Sequence, residues 1–126
     1  MTSGDVRLAE MEALRRRIDE LDDALVRLLN ERSRCALAVG KLKHALGLEI
    51  YQPDRERDVL GHVRGVNTGP LDADAIARLF ERIIDEARRL ERLAAAGTDR
   101  RATIETPATR TTDEGGPDLE SRLESD

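Results

Sequence analysis

Apolar residues recur through the first 46 positions in alternating steps of three and four: Leu14, Ile18, Leu21, Leu25, Leu28, then Cys35, Val39, Leu42 and Leu46. Arg32 occupies the one polar position of that stripe. The spacing predicts a single amphipathic helix from roughly Val6 to Leu46, about 60 Å long at 1.5 Å per residue. It approaches a heptad repeat, the pattern of a helix packed lengthwise on other helices. Gly47 supplies the stop. A second, shorter helix opens at "PDRERDVL", where Pro53 suits the first turn and Asp54 and Glu56 complement the helix dipole. "GVNTGP" is turn chemistry. A third helix opens at "LDADAIARLF", with Asp72 as N-cap and Leu71 and Ile76 spaced as a hydrophobic staple. Its apolar face runs through Ile76, Leu79, Phe80, Ile83, Ile84, Ala87, Leu90 and Ala94, and Gly97 is the expected end.

The expected fold is therefore all-α: a very long helix, a short one and a medium one. A helix of about 60 Å exceeds the diameter of so small a domain, about 25–30 Å. The two shorter helices cannot cover its stripe. A second copy of the chain, forming an intertwined homodimer, is the simplest remedy. Docking onto a different protein is the alternative.

Composition agrees with helices, since only 2% of the 126 residues are aromatic and 37% are charged. Residues 97–126 hold eight acids against four bases, leaving 18 acids and 17 bases in residues 1–96. With Ile104, Leu119 and Leu123 as its only large apolar residues, the 97–126 segment reads as a disordered, acidic, Thr-rich tail on a helical domain spanning 1–96. The net charge of −5 gives no support for a nucleic-acid or anionic-membrane binder. The single cysteine precludes an intrachain disulfide and suits a reducing compartment. The first residues lack the apolar run of a signal peptide, so a cytoplasmic protein is expected.

Arg32 has two readings. Its stem can pack while its head snorkels or pairs with a carboxylate, or it can face an anion-binding cleft. Lys43 lies eleven residues on, about 16 Å away on nearly the same face, with Ala36 and Val39 between them. Arg15 lies about 25 Å from Arg32 and about 100° around the helix, so only a partner helix brings it to the same pocket. Arg55 and Glu56 open the second helix, where capping and weak surface ion pairs are the ordinary use. Glu91 adjoins the apolar face of the third helix, and burial favours its neutral form if no cation is near. Cys35 reads as a small core residue. Neither His44 nor His62 has metal-ligand spacing, so no metal site is expected.

As a set, "LRRRIDELDDALVRLLNERSRCALAVGKLK", "PDRERDVL" and "LFERIIDEARRLE" strongly resemble the all-helical (AroQ-type) chorismate mutases over roughly residues 8–93. The resemblance implies an entwined homodimer whose active sites are shared between subunits. It also implies rearrangement of chorismate to prephenate, toward phenylalanine and tyrosine, with no metal, cofactor or covalent intermediate. Such an enzyme holds a dicarboxylate ether in its reactive conformer and stabilises charge on the breaking ether oxygen.

By their places in the motifs, Arg32 and the other subunit's Arg15 would bind substrate carboxylates, and Arg55 would assist them. Lys43 would donate to the ether oxygen, and Glu56 would accept from the ring hydroxyl. Gln52 stands where the family usually has Asp, Ala87 where it has a small polar residue, and Glu91 where it often has Gln. An ionised Glu91 cannot donate a hydrogen bond, so it would act protonated and activity would rise toward acid pH. An isochorismate pyruvate lyase, a mutase for the 4-amino analogue of chorismate, and a non-catalytic helical adaptor are the competing readings. A separate partner enzyme that activates the mutase stays open.

Overall fold

The structure, a computed structural model, describes the backbone of residues 2–111 and side-chain surroundings as far as Gly97. Three helices account for it: α1 (Ser3–Leu46), α2 (Pro53–Val66) and α3 (Ala73–Thr111). The all-α expectation holds. Among the described residues, no helix is long and apolar enough to cross a membrane.

α1 begins three residues before the expected start at Val6, because Thr2 and Asp5 form a capping box. The Thr2 hydroxyl accepts from the Asp5 N–H at 3.1 Å, and the Asp5 carboxylate accepts from the Thr2 N–H at 3.3 Å. At the other end Gly47 takes the left-handed conformation, φ 70°, which a glycine adopts without steric penalty. The Leu48 N–H then donates to the Lys43 carbonyl at 2.8 Å and turns the chain away. Pro53 opens α2 as expected, with no side-chain cap from Gln52.

The Asp72 carboxylate accepts from the Ala75 N–H at 2.7 Å, as an N-cap does. α3 does not stop at Gly97 but continues to Thr111. A lone glycine costs a helix only about 1 kcal/mol relative to alanine, and Gly97 lacks the positive φ that ends α1 at Gly47. The expected tail therefore begins inside the helix by position, and residues 112–126 lie outside the described ones.

α3 is the common neighbour, packing on α1 along one side and on α2 along the other. The buried apolar core is small: Val63 of α2 with Ala77 and Ile84 of α3. α1 contributes no buried residue. Its stripe, expected to face a core, is exposed through Leu14, Ile18, Leu21, Leu25 and Leu28, with Leu14 at 65%. Cys35 is likewise exposed rather than a core residue. The reason is geometric, since among the described residues only α3 packs on α1, and the helix is about 66 Å long.

Candidate active site

Where α1 meets α3, a cleft of about 550 Å³ opens between the three helices. α1 supplies Arg32, Cys35, Ala36, Val39, Leu42, Lys43 and Leu46 to its walls. The α1–α2 connection adds Leu48, Ile50 and Gln52, and the first two turns of α2 add Arg55, Glu56 and Val59. α3 closes it with Ile84, Ala87, Arg88 and Glu91. Seven of the eight residues singled out in the sequence thus share one cavity. Arg15 does not. It lies on the exposed N-terminal half of α1, paired with Glu12 at 3.4 Å in the same helix.

The deepest polar contact joins Lys43 and Glu91. The Lys43 ammonium donates to a Glu91 carboxylate oxygen at 3.1 Å and to the Ile50 carbonyl at 2.9 Å. Their side chains are 14% and 7% exposed, so this is a buried pair, and removing either partner strands the other. The condition attached to Glu91 in the sequence, that no cation be near, is not met, because α3 lays it directly on the lysine. Room for it comes from Gly40. A Cβ there would lie 3.0 Å from the Glu91 Cγ, too close for an ordinary contact.

Of the other two arginines at the cleft from α1 and α2, Arg32 is half-buried and Arg55 exposed. Among the described residues, neither guanidinium makes an ion pair or a side-chain hydrogen bond. Arg32 therefore does not rest on a carboxylate of the described residues, and it lines the cavity. Gln52 donates to the Glu49 carbonyl at 3.1 Å, which ties it to the connection. Ala87 offers no polar atom.

Arg88, which the sequence reading passed over, is the unexpected member. Its Nε lies 3.2 Å from a Glu56 carboxylate oxygen, and its guanidinium sits 5.0 Å above the Tyr51 ring. The signal was available in the spacing. Arg88 precedes Glu91 by three residues and follows Ile84 by four, so all three share a face of α3.

In formal charge, the cleft holds four cations (Arg32, Lys43, Arg55, Arg88) against two carboxylates (Glu56, Glu91). A chain of net charge −5 thus carries a cavity with an excess of two positive charges. Two unpaired guanidinia over apolar walls suit a small, partly apolar dianion.

Comparison with known proteins gives this arrangement a family. The model of "Chorismate mutase type II" matches residues 14–92. The chain belongs to the chorismate mutase type II family. A bifunctional chorismate mutase/prephenate dehydratase of Pseudomonas aeruginosa is 44% identical over 87 residues, which cover 65% of this chain and 24% of that protein. The chain therefore spans about a quarter of the length of these bifunctional relatives. A chorismate mutase of Methanocaldococcus jannaschii is 26% identical over 68% of this chain and 87% of its own length. Among solved structures, form II of the chorismate mutase from Thermus thermophilus superposes with a TM-score of 0.65 at 35% identity, covering 66% of this chain and 94% of that one. The family match spans all seven cleft residues singled out in the sequence, and Arg88 as well.

Proposed function

We propose that this chain is a chorismate mutase, acting on the entry to phenylalanine and tyrosine synthesis. The observation that carries the reading is the cleft's excess of two positive charges with Arg32 and Arg55 unpaired, which complements a dicarboxylate. Chorismate rearranges within one molecule: its ether C–O bond breaks, a C–C bond forms, and no group leaves. The enzyme's work is to hold the compact conformer and to stabilise the oxygen as it gains charge.

Arg32 takes one substrate carboxylate through a bidentate guanidinium, and Arg55 supports the other. Glu56 accepts from the ring hydroxyl. Lys43 turns from Glu91 toward the ether oxygen and donates to it. Gln52 and Ala87 line the rim, with Ala87 leaving room where a polar side chain would otherwise assist. Glu91 donates to the same oxygen in its protonated form. No metal or cofactor enters the scheme.

The active unit in this reading is a homodimer. The exposed apolar stripe of α1 is the surface that a second copy covers, and that copy's Arg15 completes the carboxylate site. The catalytic domain is residues 1–96, with 97–126 an appendage, and the protein works in the cytoplasm.

The test is loss of chorismate absorbance at pH 5 and pH 8, with the product identified. Prephenate formed faster at pH 5, with Glu91→Gln flattening the difference, is the expected result. No turnover by a folded dimer redirects the reading to an isochorismate or 4-amino analogue, or to an adaptor. Turnover that rises toward pH 8 removes Glu91 from the donor role.

A further inference from the structure

Glu56 sits in the opening turn of α2, four residues after a Gln52 that gives the helix no side-chain cap. A carboxylate there faces two problems. Little in its own helix fixes its direction, and its charge repels a dianion entering the same cleft. Arg88 answers both from the neighbouring helix. Its Nε is buried 3.2 Å from a Glu56 oxygen, close enough for an ion pair yet without a directed hydrogen bond. The other end of the guanidinium is fixed, since Nη2 donates to Asp85 at 2.5 Å and the plane covers Tyr51 at 5.0 Å. The side chain is 26% exposed, so the charge is only partly screened.

We propose that Arg88 is a positioning residue that acts through Glu56: clamped between Asp85 and Tyr51, it offsets the Glu56 charge and aims that carboxylate at the substrate's ring hydroxyl. The proposal rests on the mutase reading above. Because the Nε–H is not spent on a directed bond, the Glu56 oxygens keep their lone pairs for the hydroxyl. Arg88 itself touches no substrate atom in this scheme. Lysine is a poor substitute, since an ammonium neither lies flat on Tyr51 nor holds Asp85 and Glu56 together. Tyr51 thereby gains a role as the platform of the clamp.

The experiment compares two substrates in the full-length protein: chorismate, and its methyl ether, in which the ring hydroxyl can no longer donate. Arg88→Gln is expected to lower kcat/KM for chorismate by about 10-fold, as for a partly buried carboxylate that loses its charged partner. For the methyl ether, which carries the same two carboxylates but cannot donate to Glu56, the same variant is expected to lose several-fold less, since only the offset of the Glu56 charge is left to remove. In a Glu56→Gln background, Arg88→Gln is expected to add little to the loss with chorismate. Circular dichroism and sedimentation check that the variant keeps its fold and assembly. Should Arg88→Gln fail to fold, Arg88→Lys carries the comparison, with a smaller loss confined to chorismate. Equal losses on both substrates, or full additivity with Glu56→Gln, overturn the positioning role and leave only a general charge effect. An inert wild type overturns the mutase reading itself, and the role of Arg88 with it.

Discussion

The two halves of α1 share one helix and one apolar rhythm, yet they end in different surroundings. From Arg32 to Leu46 the helix has α3 beside it, Gly40 meets Glu91, and the polar side chains find partners or a cavity. From Ser3 to Leu28 the same stripe meets solvent, and the ion pairs there are short-range ones such as Arg15–Glu12 and Arg17–Glu20. Such exposed pairs contribute little. The apolar side chains of the N-terminal half are therefore left exposed, whereas those of the C-terminal half line the cleft. A stripe records only that something packs there. It does not record whether that something is the same chain.

The sharpest way to break this contrast is to charge the N-terminal half. Leu21→Glu with Leu25→Glu is expected to convert a dimer to monomers in sedimentation and to abolish turnover, because each carboxylate buried without a partner costs several kcal/mol. If that half is merely solvent surface, the double variant shifts stability by no more than about 0.5 kcal/mol per site and leaves activity alone. Next in size is Arg32→Leu, which completes the stripe. The thermal midpoint is expected to hold or rise while kcat/KM falls by about 10²- to 10³-fold. A rise in stability with no activity to lose is what an adaptor would give.

Gly40→Ala tests the close approach of α1 to α3. Alanine favours the helix by about 1 kcal/mol, but its Cβ displaces Glu91 and with it the Lys43 contact. The expected outcome is a kcat lowered by about 5- to 20-fold with little change in the thermal midpoint, since the gain in propensity offsets the crowding. Normal kcat would show that the position of Glu91 is not critical. The smallest effect is expected at Thr2→Ala, which removes the capping box at the far end. Fraying of the first turn should lower the thermal midpoint by a degree or two, equivalent to less than about 1 kcal/mol, with kinetics unchanged.

The elements themselves are legible in the sequence. Period, Pro53, Asp72 and Gly47 mark the helices to within a few residues, because capping and turn chemistry act over three or four positions. Two local signals mislead or are easily passed over. "TSGD" holds a capping box ahead of the apolar stripe, and Gly97 reads as a stop although one glycine does not end a helix. The candidate site is only partly legible: the stripe's single arginine draws attention to Arg32, and with it Lys43 on the same face, whereas Arg55 and Glu56 are singled out by the resemblance of "DRERD" to the family's motif.

What the sequence determined by itself, then, was three helices and a set of charges at positions where packing alone would ask for none. Only the tertiary structure decided who meets whom. The buried pairing of Lys43 with Glu91, the room made by Gly40, and the bridge from Arg88 to Glu56 join residues 32 to 51 positions apart. Helical periodicity assigns a residue to a face, and the distances across a cleft follow from how separate helices dock.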